Sequence, residues 1–193
     1  MDNFLPNKKI ILASGSPRRQ QYCKELGLDF SIQLKEIEEI YPDDLTHHEI
    51  TDFLAELKAN AFENELAENE ILITSDTIVW HENKALGKPK NYDEAFEMIS
   101  SMARKTHEVI TSVCIKTSLK SEVFHSITKV TFVSLTKEEI DYYIENFKPY
   151  DKAGAYGIQE WIGLIGISKI EGSYPNVVGL PVDKLYTKLK EYV

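Results

Sequence analysis

The sequence predicts an α/β fold in which a mixed, twisted β-sheet is flanked by helices. Short apolar runs of strand character mostly alternate with segments of helical spacing, which favours parallel pairing. One pair of alternating runs around residues 109–133 instead predicts an antiparallel hairpin, so the sheet should be mixed. The 193 residues, 42% of them hydrophobic, suffice for one substantial core, so we expect a single domain over residues 1–193, with two lobes.

The first elements read as strand, tight turn and helix. The strand covers Lys9 to Ala13, and Ser16 is placed to cap a helix that starts at Pro17 and stops at Gly27. A second strand through Phe30 to Leu34 then runs into the acidic segment KEIEEI.

The middle of the chain predicts a long helix and a buried strand. Apolar residues recur at helical spacing from about His47 to Leu66, with Lys58 beside the apolar stripe. The run ILITSDTIVW (71–80) reads as a buried strand with Asp76 inside it, and Asn91 to Ala103 reads as a further helix.

The last third begins with the hairpin, whose turn lies at TSLKS. Thr136 and Glu139 then form a capping-box pattern for a helix over Lys137 to Asn146. A glycine-rich segment, a strand to Ile170, a turn at EGSYPN and a helix from near Pro181 complete the expected order.

Composition excludes several classes of protein. A formal charge of -9 disfavours nucleic-acid binding, which needs a basic face. No apolar stretch approaches the roughly 20 residues of a membrane span and the start has no secretory pattern, so we expect a cytoplasmic protein that binds no membrane. Cys23 and Cys114 form no CxxC pair, and the five histidines form no HExxH, so neither a disulfide framework nor a histidine metal site is expected.

The turn SGSPRR is the first candidate site. A helix N-terminus presents unpaired N–H groups, Ser14 and Ser16 add hydroxyls, and Arg18 and Arg19 carry bidentate donors for phosphate oxygens. A helix cap with solvated arginines is the simpler alternative. Two arginines oppose the helix dipole in a first turn, which favours an anion there.

Carboxylates form the second group of candidates. Asp76 inside an apolar strand needs a partner or a metal, unless the strand ends or bulges there. Alternation would place Glu36 and Glu38 on one face, where they could bind one hard cation, and Glu39 adjoins them. The alternative is a solvated acidic surface.

Three further polar residues complete the candidates. Lys58 lies at the edge of an apolar helix face, Lys88 lies in a Gly-Lys-Pro turn, and Gln159 ends the segment GAYGIQ. Surface lysines and a flexible loop explain them equally simply. The phosphate-binding fingerprints GxxxxGK[ST] and GxGxxG do not occur, so phosphate chemistry would need another scaffold.

Seven motifs occur in a fixed order: ASGSPRR, KEIEE, LKANA, SDTIV, LGKP, KTHEVIT and DKAGAYGIQ. Together they resemble the Maf family of nucleoside triphosphate pyrophosphatases, from Ile10 to about Pro181. The form GAYGIQ is similar to the subgroup that acts on dTTP and UTP rather than on 7-methylated GTP. The chain departs from that subgroup after Gln159, where Glu160 and Trp161 replace a glycine.

The resemblance implies an enzyme that hydrolyses a nucleoside triphosphate to the monophosphate and pyrophosphate. It implies a fold like that of inosine triphosphatases with a cleft between two lobes, a divalent cation such as Mg²⁺ or Mn²⁺, and a homodimer. A nucleotide-binding regulator of cell division without turnover and a 7-methyl-GTP pyrophosphatase are the alternatives. The matching positions are Ser14, Ser16, Arg18, Arg19, Lys58 and Gln159 for substrate, Asp76, Glu38 and Lys88 for catalysis, and Glu38 and Asp76 for metal.

Overall fold

The computed structural model describes residue 5 and residues 7–193. The strands are β1 (Lys9–Leu12), β2 (Phe30–Ile32), β3 (Glu70–His81), β4 (Lys84–Leu86), β5 (Thr106–Lys116), β6 (Ser121–Phe132) and β7 (Ile167–Glu171). The α-helices are α1 (Pro17–Glu25), α2 (His48–Asn60), α3 (Tyr92–Met102), α4 (Lys137–Phe147), α5 (Trp161–Gly166), α6 (Tyr174–Val178) and α7 (Val182–Leu189). Short 3₁₀ turns cover Ala153–Ala155 and Lys190–Tyr192.

The described strands form one mixed sheet in the order β2-β1-β3-β5-β6-β7, with β4 paired to β3. Strand β1 runs parallel to β2 and to β3, because helices connect them. Strand β4 is antiparallel to β3, and β7 is antiparallel to β6. The predicted α/β class with a mixed sheet is therefore confirmed.

The chain divides into two compact units. The first contains the described residues up to Asp76, Thr111–Ser126 and Gly179–Val193, and the second contains Thr77–Ile110 and Ile127–Val178. The boundary falls inside β3, β5 and β6. Each unit has its own apolar core, and the prediction of a single domain stays a prediction.

Two element boundaries differ from the sequence predictions. The long helix ends at Asn60 rather than near Leu66, because i→i−3 hydrogen bonds and a left-handed Asn64 turn the chain there. Phe62 is still buried, so the apolar spacing that predicted the longer helix reflects packing of a turn. The second strand ends at Ile32, and residues 33–40 adopt neither helix nor strand.

The helices predicted over Asn91 to Ala103 and Lys137 to Asn146 agree closely with α3 and α4, whereas β4 and α5 were not predicted. The capping box of α4 is formed by both Thr136 and Glu139. Asn91 caps α3 by accepting a hydrogen bond from the Glu94 backbone N–H. The predicted turn at EGSYPN contains the short helix α6, for which Pro175 in the first turn is favourable.

Candidate functional site

The turn between β1 and α1 is organised around the buried hydroxyl of Ser14. Its Oγ accepts hydrogen bonds from the Ser16 backbone N–H at 3.3 Å and from Arg19 Nη1 at 3.4 Å. Ser16 occupies the N-cap position of α1, but within the described structure its side chain makes no capping hydrogen bond. Pro17 follows as the first helical residue, as predicted. The first turn of α1 contains Arg18 and Arg19 and no acid, so it carries a local positive charge.

Arg19 connects three segments of the first unit. Its Nε donates to the Gly179 carbonyl at 2.8 Å, and its Nη1 donates to the Ser75 carbonyl at 2.8 Å. Burial lowers the pKa of the guanidinium below its usual value, and the nearby Asp76 carboxylate partly opposes that shift. The sequence predicted two equivalent phosphate-binding arginines. The structure gives Arg19 backbone partners, so it is suited to positioning the turn against β3.

Asp76 lies in β3 directly after Ser75 and is only 8% exposed. Its Oδ1 accepts from Lys58 Nζ at 2.6 Å. Lys58 comes from the last turn of α2, which brings two residues 18 positions apart into contact. Asp76, which was predicted to need a partner or a metal, thus forms a largely buried ion pair with Lys58.

Lys58 has a second carboxylate partner, Glu39, whose Oε1 lies 2.9 Å from Nζ. Strand alternation would have placed Glu36 and Glu38 on one face, and that expectation is wrong because no strand extends over these residues. Both are exposed, and Glu39 is the acid that reaches Lys58. The metal-binding role of Glu38 stays a prediction.

Lys88 and Gln159 belong to the second unit, and both are exposed. Lys88 follows Gly87, whose carbonyl accepts from the Gly154 backbone N–H at 3.0 Å. Gly154 has a φ of 66°, and a Cβ there would lie 2.7 Å from Val79 Cγ2. This glycine is therefore required by backbone conformation and by close packing, which ties the Lys88 turn to the segment that ends at Gln159.

The segment GAYGIQ is fixed by residues that the sequence did not single out. Lys152 is only 8% exposed, and its Nζ lies 2.7 Å from Asp151 Oδ1 and 3.0 Å from Glu160 Oε1. Tyr143 donates its hydroxyl proton to Glu160 and accepts from the Gly157 backbone N–H at 2.9 Å. Burial, reinforced by Glu160, raises the pKa of Tyr143, so the phenol stays protonated as a donor. Glu160 is thus a structural anchor of this segment.

The profile of Maf-like proteins matches residues 9–192 of the chain. The chain belongs to the Maf-like protein family. A protein of Flavobacterium johnsoniae named dTTP/UTP pyrophosphatase is 67% identical over 98% of this chain and 97% of its own length. Proteins of the same name from Flavobacterium psychrophilum and Bacteroides fragilis are 63% and 48% identical, over 95% and 97% of this chain and 94% and 97% of their own lengths.

One solved structure, from Mycobacterium abscessus, is titled nucleoside-triphosphatase / dITP/XTP pyrophosphatase. Its match covers 96% of this Maf-like chain and 98% of the chain in that structure. Its TM-score of 0.44 at 13% identity is too low to support a conclusion.

Two sequence expectations are tested by the remaining features of this Maf-like chain. Cys23 and Cys114, which were expected to form no disulfide framework, are both buried free thiols. Among the described residues, no helix combines the length and apolar character needed to cross a membrane.

The carboxylates around Lys58 fit a hard divalent cation by the chemistry of their donors. Asp76 and Glu39 both direct an oxygen at the same ammonium group, so this place already attracts positive charge. Oxygen donors of this type suit Mg²⁺ or Mn²⁺.

Proposed function

We propose that this chain hydrolyses nucleoside triphosphates, dTTP and UTP in particular, to the monophosphate and pyrophosphate. The proposal is supported by relatives of that name at 63% and 67% identity over nearly the whole chain. The names of these relatives do not favour a 7-methyl-GTP pyrophosphatase or a regulator without turnover. Modified pyrimidine nucleotides are compatible with the same chemistry.

The single observation that carries the chemistry is the buried Lys58–Asp76 pair beside the first turn of α1. Arg19 donates to the carbonyl of Ser75, the neighbour of Asp76, which links the carboxylate to the cationic turn. A polyphosphate requires positive charge, and a hydrolysis requires an oriented water. The first unit offers groups suited to both.

We assign the roles as follows. Arg18, the hydroxyls of Ser14 and Ser16 and the N–H groups of α1 bind phosphate oxygens, and Arg19 holds that turn in place. Asp76 orients the attacking water and accepts its proton, while Lys58 holds the carboxylate in position. Water then attacks the α-phosphorus, the bond to the bridging oxygen breaks, and pyrophosphate leaves.

A divalent cation, Mg²⁺ or Mn²⁺, would be held by Asp76 with Glu38 or Glu39. When bound, it would supply positive charge against the phosphate oxygens. We further propose that Lys88 contributes a charge to the triphosphate and that Gln159 contacts the base. For Gln159, the support is an amide at the end of a segment anchored by Lys152 and Glu160.

A homodimer in the cytoplasm is the proposed state of the protein. Two reduced, buried cysteines are compatible with a reducing compartment, and the resemblance to the family implies the dimer. We propose no nucleic-acid or membrane partner because the net charge is -9. Light scattering coupled to size exclusion would test the dimer.

Incubation with a nucleotide panel and Mg²⁺, followed by ³¹P NMR, tests the function. We expect dTTP and UTP to yield pyrophosphate and the monophosphate. Orthophosphate with the diphosphate would indicate a different phosphatase. No product with any nucleotide, at concentrations where binding is measured, would contradict the proposal and favour a sensor.

A further inference from the structure

Three side chains of the first unit that the proposed hydrolysis does not use converge near the start of α2. His48 and Asp52 lie one turn apart on α2, and His125 lies on β6. Metal-binding atoms of all three lie within 4.8 Å of one another. All three residues are partly buried, so the group is accessible from solvent.

The local geometry follows from the helix and from the sheet. Residues i and i+4 share a helix face, which places His48 beside Asp52. Strand β6 brings His125 from 73 positions away, so that its Nδ1 lies 3.2 Å from Asp52 Oδ2. Lys184 Nζ donates to the His125 carbonyl at 2.8 Å and fixes the backbone there. No local histidine motif indicates such a site in the sequence, because its third member is remote in the chain.

Additional hydrogen bonds orient two of the three groups. Ser112 Oγ lies 2.6 Å from Asp52 Oδ1 and donates to it, which leaves Oδ2 directed at His125. His47 Nδ1 lies 3.3 Å from His48 Nδ1, so a hydrogen bond between the rings selects the tautomer of His48. Outer partners that fix ligand orientation in this way are typical of metal sites.

An ion pair between His125 and Asp52 would explain only part of this arrangement. The ring of His48 lies against that of His125, with the centroids 4.3 Å apart, and an ion pair between His125 and Asp52 leaves His48 unused. A cation bound by both imidazoles and the carboxylate uses all three groups.

We propose that His48, Asp52 and His125 bind a transition-metal cation such as Zn²⁺ or Co²⁺. Two imidazole nitrogens and one carboxylate oxygen suit such cations better than Mg²⁺, and three protein ligands leave a position for water. Asp52 and Lys58 are six residues apart on α2, about 9 Å along the helix axis. The site is therefore separate from the Lys58–Asp76 pair and would tie α2 to β6.

Titration of chelator-treated, full-length protein with Co²⁺, followed by visible absorption and by competition with Zn²⁺, tests the site. We expect one equivalent of Co²⁺ to give ligand-field bands. These bands should be retained in Asp76→Asn, in which the other proposed cation site has lost a carboxylate. His48→Ala and His125→Ala should lose the bands, and Ser112→Ala should weaken binding about 10-fold to 100-fold. Glu56→Gln, which changes an exposed acid one turn further along α2, is the matched control and should bind like the unmodified protein.

The change in Tm that Zn²⁺ causes in each variant tests the site even where a substitution lowers the stability of the protein itself. Zn²⁺ should raise the Tm of the unmodified protein and of Glu56→Gln, but not of Asp52→Asn or His125→Gln. His125→Gln is included in case loss of the imidazole ring disturbs folding. Its side-chain amide can still donate a hydrogen bond to Asp52. The proposal is overturned if Co²⁺ gives no ligand-field bands, or if the bands survive in His48→Ala and His125→Ala.

Discussion

Among the described residues, two largely buried lysines, one in each unit, each contact two carboxylates. Lys58 contacts Asp76 and Glu39, and Lys152 contacts Asp151 and Glu160. Their side chains are 15% and 9% exposed, so both have lost much of their hydration. The ion-pair chemistry is nearly identical, but the surroundings differ.

The groups around each lysine distinguish the candidate site at Lys58 from the structural anchor at Lys152. The Lys58–Asp76 pair adjoins the arginine-bearing start of α1 through Ser75 and Arg19. Around Lys152, the carboxylate of Glu160 also accepts from Tyr143, whose oxygen accepts from the Gly157 N–H. A buried charged pair is therefore not by itself evidence of catalysis, because its remaining partners decide its role.

The largest expected effect comes from Asp76→Asn. We expect turnover to fall about 10²-fold to 10⁴-fold, because the amide cannot accept the proton of water. The dissociation constant for nucleotide should change much less. Steady-state kinetics together with calorimetric binding measure both quantities.

The matched control is Asp151→Asn, which removes a carboxylate from Lys152 instead of Lys58 and should retain turnover within about twofold. Full activity in Asp76→Asn would remove this residue from the mechanism.

Lys152→Met should destabilise the protein without abolishing nucleotide chemistry. Removing the ammonium leaves Glu160 without its cationic partner, and breaking a buried pair costs up to about 3–5 kcal/mol. Urea unfolding measures the loss. Lys169→Met provides the comparison, because Lys169 and Glu171 are exposed and such pairs contribute about 0–1 kcal/mol. Equal losses in the two variants would show that Lys152 is not an anchor.

Arg18→Ala and Arg19→Ala should affect different properties of the protein, namely substrate binding and stability. For Arg18→Ala we expect KM for the triphosphate to rise about tenfold, as one charge-assisted phosphate contact is lost. Arg19→Ala should instead lower the free energy of unfolding by about 1–3 kcal/mol, because the carbonyls of Ser75 and Gly179 lose their donor. Kinetics and urea unfolding of each variant would separate the two effects. Identical profiles would contradict the assigned roles.

The smallest effect concerns pH in the second unit. Burial, with a minor contribution from His81, lowers the pKa of His107 from 6.5 to about 3, and its Nε2 lies 2.8 Å from the Tyr156 hydroxyl. The unfolded chain then binds a proton that the folded chain does not. Stability from this residue is present above the unfolded pKa, declines below it and is lost near the folded pKa.

We expect about 1 kcal/mol to be lost between about pH 7 and about pH 5.5. NMR titration of the His107 ring protons checks the cause directly. A midpoint near 6.5 would contradict it.

The sequence predicted elements whose signals are local. The capping box at Thr136, the buried strand around Asp76 and the start of α1 at Pro17 were each visible in a few residues, and all three are present. The end of α2 was not visible in the sequence, because apolar spacing continues through Phe62 into a turn that packs on the same core.

Within the site, the sequence identified residue types better than partners. Lys58 and Asp76 were both named, and the structure joins them. Glu39 was named without a partner, because its contact with Lys58 depends on a segment without strand structure, where alternation does not apply. Lys152 and the group of His48, Asp52 and His125 depend on contacts distant in sequence, and no local pattern encodes them.

Hydrolysis of dTTP in H₂¹⁸O, with mass or ³¹P NMR analysis of both products, tests most directly the claim that the first unit directs water to the α-phosphorus. The account predicts one ¹⁸O in the monophosphate and none in pyrophosphate. The account would be contradicted if the unmodified protein placed the ¹⁸O label in pyrophosphate, or if it released labelled orthophosphate from dTTP.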